Sequence, residues 1–143
     1  MTGPVLCAID ISDAEHDNAV IRQAQKMADM VGVTLDVVTV VPDFGKSVVG
    51  SYFESDHHGK MVDASKEALN KLVAATIGEE ASAKTRHIVA TGTAYEEIIK
   101  LAETAKSSLI VIGAHKPDFK DYLLGPNAAR VVRHSNCSVY VVR

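Results

Sequence analysis

Two rhythms of apolar and polar residues run through this chain, and the places where one gives way to the other mark out its elements. Five short runs rich in Val and Ile read as strands: Val5 to Asp10, Thr34 to Val41, Thr85 to Thr91, Ser108 to Ala114 and Ser138 to Arg143. The first, fourth and fifth are nearly continuous apolar stretches, as expected of strands covered on both faces in a parallel sheet. Between them the period lengthens to that of helices. Val20, Ala24, Met27 and Val31 recur at helical spacing, which predicts an amphipathic helix from Asp13 to Val31, stopped by Gly32. Met61, Ala64, Ala68, Leu72 and Ala75 predict a second that Gly78 stops. A third runs from about Ala94 with Ile98, Leu101, Ala102 and Ala105 inward. The fourth opens after Gly125, where Pro126 suits the first helical position and Val131 and Val132 are expected to pack.

Strands and helices that alternate in this way require right-handed crossovers and a doubly wound, five-stranded parallel α/β sheet with four helices. The expected strand order is 3-2-1-4-5. Such a sheet receives its ligand at the carboxyl ends of the strands, where the strand order reverses. The segments to inspect are therefore Asp10, Val40 to Asp43, Thr91 to Thr93 and Gly113 to Asn127. Residues 43–59, DFGKSVVGSYFESDHHG, read as a long connection between the second strand and the second helix. Two readings stay open for it, a lid over the ligand or a surface loop without a role. Asp56, His57 and His58 inside it have no second ligand set at a defined spacing, so they carry little weight as a metal site.

The 143 residues suit one domain spanning 1–143. Apolar residues make up 47% and charged residues 23%, which places the chain among globular proteins rather than disordered ones. A net charge of -3 and the absence of Trp argue against a nucleic-acid partner, which needs a clustered basic face or a stacking platform. Cys7 and Cys137 fit reduced thiols of a cytoplasmic protein better than a disulfide framework. No stretch approaches the length of a membrane span, and MTGPVLCAID has no leader pattern.

Familiar chemistries fail their tests. The chain has no GxGxxG after its first strand, no GxxxxGK[ST] and no GxSxG. Asp10 with Asp13 suggests a phospho-accepting pocket, but the third strand ends in TGT where an acceptor aspartate would have to stand. The end of the fourth strand offers more. Gly113 closes it, a polar stretch with His115 and Lys116 follows, and a helix opens at Gly125-Pro126-Asn127. Backbone N–H groups at such glycines, a helix dipole and a lysine can together hold an anion; equally, the two glycines can serve as turn and cap alone.

These residues resemble the universal stress protein family over the whole chain. The family carries a DxS-type turn after its first strand, a valine near the end of its second, and a C-terminal GxxGx9G[ST] phosphate motif. Here stand AIDIS at Ala8 to Ser12, TVV at Thr39 to Val41, GAHKPD at Gly113 to Asp118, and YLLGPNAARVVRHSNCSVYVVR at the end, most like the UspF type. The resemblance implies a Rossmann-like, adenine-nucleotide α-hydrolase-like fold and a dimeric stress-response or signalling module that binds ATP with Mg2+. It implies that Asp10 accepts hydrogen bonds from ribose hydroxyls, that the Val40 main chain meets the adenine edge, and that Ala8 walls the base. Gly113 would sit against the ribose, with His115, Lys116, Gly125, Pro126 and Asn127 around the phosphates.

Two positions depart from the family pattern. Lys116 replaces the second glycine, and Pro126, with neither a hydroxyl nor a backbone N–H, replaces the hydroxyl residue. Asn127 and Lys116 are the side chains able to compensate. The chain shows no nucleophile–base pair, so it reads as a binding protein and not an enzyme. A nucleotide-free interaction module and a slow ATPase are the alternatives. The last strand, with Val139, Tyr140, Val141 and Val142, is an unguarded apolar edge expected to form a homodimer seam, with higher assembly left open. Lys84, Arg86 and His87 are expected to guard the opposite edge.

Overall fold

A computed structural model describes residues 2–11, 14–42, 51–114 and 126–143. Its elements follow in the order β1 (Val5–Ile9), α1 (Ala14–Val31), β2 (Leu35–Val41), α2 (Ser51–Ile77), α3 (Glu79–Ala83), β3 (Arg86–Thr91), α4 (Ala94–Ala105), β4 (Leu109–Gly113), α5 (Pro126–His134) and β5 (Ser138–Val142). The strands form one parallel sheet in the order β3-β2-β1-β4-β5. β1 lies at its centre, with Cys7 level with Val37 of β2 on one side and Val111 of β4 on the other.

Side chains alternate between the faces of a strand, and two cores result. Val5, Cys7, Ile9, Val37 and Val111 pack with Val20, Ile21, Ala24 and Ala28 of α1 and with Leu69 and Val73 of α2. Leu6, Ala8, Val38, Ile110 and Ile112 pack on the other face with Ile98 and Ala102 of α4 and with Ala128 and Val131 of α5. Helices α1 and α2 cover one face and α4 and α5 the other, the arrangement that right-handed crossovers produce in this strand order.

Glycines end two helices as expected. Gly32 at φ 80° and Gly78 at φ 92° take the positive φ that glycine tolerates and that lets the chain turn away from α1 and α2.

Four expectations need correction. Residues 51–59 are not part of a connection, because α2 begins at Ser51. That stretch has no proline, and Gly59 costs a helix interior only about 1 kcal/mol, which a long helix tolerates. A fifth helix, α3, follows Gly78; at five residues it is too short to show a period. The buried stripe of α2 is Ser65, Leu69 and Val73, while Ala64, Ala68 and Ala75 are exposed. The bulkier side chains remove more apolar area from water, so they set the helix's rotation. On α5, Val131 is buried but Val132 is 45% exposed, since consecutive helical residues point about 100° apart.

The three residues expected to guard the β3 edge also make contacts within the chain. Lys84 belongs to the cap of α3, Arg86 donates from Nη2 to Asp36 Oδ2 of β2 at 2.8 Å, and His87 Nε2 is hydrogen-bonded to Ser82 Oγ of α3 at 3.0 Å. The charges hold the edge to its own neighbours.

Candidate functional site

The strand order reverses between β1 and β4. After β1 the chain turns into α1 on one face, and α4 and α5 cover the other; a sheet of this order takes its ligand in a crevice at the carboxyl ends of these two strands. Thr39 stands level with Ile9, and Ala8 with Ile112, which brings Asp10, Val40 and Gly113 to the same end of the sheet.

Alternation sorts these residues by face. Ala8, Val40 and Ile112 pack in the core beneath α4 and α5, and continued strand alternation would place Asp10, two residues beyond Ala8, on the same side. Asp10 is exposed, Val40 half-buried and Ala8 only 5% exposed. Pro126 and Asn127 are exposed at the start of α5 over this face. An exposed carboxylate at a strand outlet beside an apolar floor can accept hydrogen bonds from a polyhydroxyl group while the floor takes a flat ring. His115, Lys116 and Gly125 lie outside the described residues, as does Asp13.

Gly113 has a role that the sequence reading missed. A side chain there would point to the α1 face, where a Cβ would come within 2.6 Å of His16 Nε2 and 3.0 Å of Val20 Cγ2. His16 fills that space, and its Nε2 lies 3.1 Å from the carbonyl oxygen of Ala114. A carbonyl cannot donate, so Nε2 carries the proton. The next residue, Asp17, is 4% exposed and accepts the Asp10 backbone N–H at Oδ1, 3.4 Å away. His16 and Asp17 stand side by side in the first turn of α1, the helix that leaves β1.

The electrostatics of the core beneath are those of a thiol kept protonated. Burial and the nearby charge of Asp17 push the Cys7 thiol far above its ordinary value. Burial also raises Cys137, partly offset by a backbone hydrogen bond at Ile110. Neither thiol is an activated nucleophile. Among the described residues no group of three His, Cys, Asp or Glu side chains could hold a metal ion, and no helix is long and apolar enough to cross a membrane.

A cavity of about 470 Å3 opens at the opposite end of the sheet, between Gln25 and Asp29 of α1 and Lys84 and Thr85 beyond α3. Its polar groups are engaged with one another: Gln25 donates to Asp29 at 2.6 Å, and Lys84 lies 4.0 Å from Glu80. The switch-point crevice, with an exposed carboxylate at its mouth, is the better candidate.

Comparison with known proteins identifies the family and the fold. The model of the universal stress protein family matches residues 1–143. The chain is similar to universal stress protein G of Shigella flexneri, 28% identical over 142 residues and covering 97% of both chains. Among solved structures it resembles the hypothetical protein MJ0577, with a TM-score of 0.79, 23% identity and coverage of 99% of this chain and 96% of that one. It also resembles the universal stress protein of Archaeoglobus fulgidus in complex with dAMP, with a TM-score of 0.66, 22% identity and coverage of 99% and 98%. At these identities the structural likeness establishes the Rossmann-like fold.

Proposed function

We propose a function from one premise: this chain belongs to the universal stress protein family, matched from its first residue to its last. It binds an adenine nucleotide, ATP with Mg2+, at the carboxyl ends of β1, β2 and β4. It works as a cytoplasmic homodimeric stress-response module of one domain, in which the nucleotide sets partner affinity and chemistry is at most slow hydrolysis. The observation that carries the reading is Asp10, an exposed carboxylate at the outlet of β1 where the strand order reverses. The likeness to a relative in complex with dAMP supports it.

In this reading Asp10 takes the ribose hydroxyls, Gly113 sits against the ribose, Val40 and Ala8 form the adenine floor, and Asn127 stands near the phosphates with His115, Lys116, Gly125 and Pro126. Mg2+ enters with the phosphates, whose oxygens and waters supply most of its ligands. The edge strand β5 forms the dimer seam. Pro126 favours a second reading. As the first residue of α5 it brings no N–H to the helix start, and a nucleotide-free interaction module would not need one.

Denaturing the purified protein and identifying any released molecule by chromatography, then titrating ATP into wild type and Asp10→Ala, tests the first reading. ATP should bind, and the variant should bind it roughly 10- to 100-fold more weakly, the loss of a charged hydrogen-bond acceptor. No released nucleotide and no ATP binding at millimolar concentration would favour the nucleotide-free module.

A further inference from the structure

The first turn of α1 reaches both strand ends that bound the switch point. Asp17 Oδ1 takes the backbone N–H of Asp10 just past β1, and His16 Nε2 reaches the carbonyl of Ala114 just past β4, 98 residues further along the chain. Two adjacent side chains on one helix thus tie together the two walls of the crevice.

The contacts come from behind. α1 covers the face of Cys7 and Ile9, whereas continued strand alternation would place Asp10 with Ala8 on the face of α4 and α5. A tie on the α1 side does not occupy the face on which the nucleotide is proposed to bind. The arrangement also has little slack, because a Cβ at position 113 would lie 2.6 Å from His16 Nε2 and 3.0 Å from both His16 Cδ2 and Val20 Cγ2. Val20 is fully buried, and its Cγ2 bounds the same space. Glycine at 113 is thereby the condition for His16 to reach its carbonyl.

We infer that His16 is a positioning residue of the nucleotide site: together with Asp17 it clamps the outlets of β1 and β4 and so sets where Asp10 presents its carboxylate. The inference rests on the proposed nucleotide binding at this crevice. It assigns His16 no contact with the ligand. Its effect should fall on the hydroxyls that Asp10 recognises and spare the ring and phosphates.

The experiment compares the affinities for ATP and 2′,3′-dideoxy-ATP, with folding of each variant checked by thermal melting. Wild type should prefer ATP by about tenfold or more, the value of hydrogen bonds to a charged acceptor. His16→Ala should reduce that preference to about threefold or less while leaving dideoxy-ATP within about twofold of wild type, since one positioning hydrogen bond is lost. His16→Gln, whose amide can still donate to Ala114, should restore part of the preference. Gly113→Ala should act like His16→Ala because it displaces the ring, and the double variant should be no worse than Gly113→Ala alone.

An undiminished preference in His16→Ala overturns the inference. So does an equal loss of both nucleotides, which would mark a general structural role, or additive effects in the double variant. Wild-type protein that binds neither nucleotide overturns the proposed function itself, a result distinct from all of these.

Discussion

Replacing Arg86 by Met removes the cationic half of an ion pair whose acidic half is inside the protein. Arg86 Nη2 stands 2.8 Å from Asp36 Oδ2, with the arginine side chain 57% exposed and the aspartate 5%. The hydrogen bond also lifts the guanidinium above its ordinary value. Breaking a fully buried pair costs about 3–5 kcal/mol, and an exposed pair contributes about 0–1. Here water reaches the arginine but hardly the carboxylate, which places the expected loss between these limits, at about 1–2.5 kcal/mol. The penalty comes from the carboxylate left behind, so Asp36→Val added to Arg86→Met should recover most of it. Valine suits a central strand, and an apolar pair leaves no charge unmatched. Urea denaturation at pH 7 with unchanged m-values measures both. A loss below about 0.3 kcal/mol in Arg86→Met, or a double variant less stable than Arg86→Met, would refute the reasoning. Nucleotide affinity should not change, because Asp36 and Arg86 lie at the amino end of the ladder that carries Val40 at its other end.

Burial, helped by the charge of Lys66, holds His87 below the ordinary imidazole value of 6.5. The unfolded chain then takes up the proton first, so stability should be full above pH 6.5 and fall as the pH drops below it towards the folded-state value; urea midpoints from pH 7.5 to 5 that decline as steeply in His87→Gln would contradict this. For the dimer, Tyr140 is the side chain to change, since it is 39% exposed whereas Val139 and Val141 pack into the core against α5. Tyr140→Glu should shift the protein towards monomer in sedimentation, and a wild-type protein already monomeric at micromolar concentration would rule the seam out.

Two of the three strands expected to be covered on both faces, β1 and β4, were legible for a physical reason that leaves a mark in sequence, whereas β5 is an edge strand with Ser138 and Tyr140 exposed. Val5–Ile9 and Leu109–Gly113 are covered on both faces, and continuous runs of Val, Ile and Leu are what such strands require. The helix stops at Gly32 and Gly78 were equally plain, since both take positive φ. What failed was the rotation and reach of α2. Its alanines keep helical spacing on the exposed side, and a stripe of small residues in sequence does not distinguish a packed face from a face that merely propagates the helix. Within the site, Asp10 and Val40 were readable as strand-end residues. His16 was not, because the space it fills exists only when Gly113 is brought across from the far half of the chain.

The central place of β1 has a consequence for the order in which the molecule can assemble during synthesis. The strand made first is hydrogen-bonded to β2 on one side and to β4, residues 109–113, on the other. A nascent chain that has emerged as far as residue 91 can join β1, β2 and β3 and cover one face with α1 and α2. The opposite face, with Leu6, Ala8, Val38 and Ile88, and the free edge of β1 have no partner until α4, β4 and α5 follow. At about 5–20 residues per second, the further 43 or so residues to the end of α5 leave this half-sheet bare for several seconds. During that interval its apolar face and open strand edge are the natural targets of a chaperone, or of another unfinished copy.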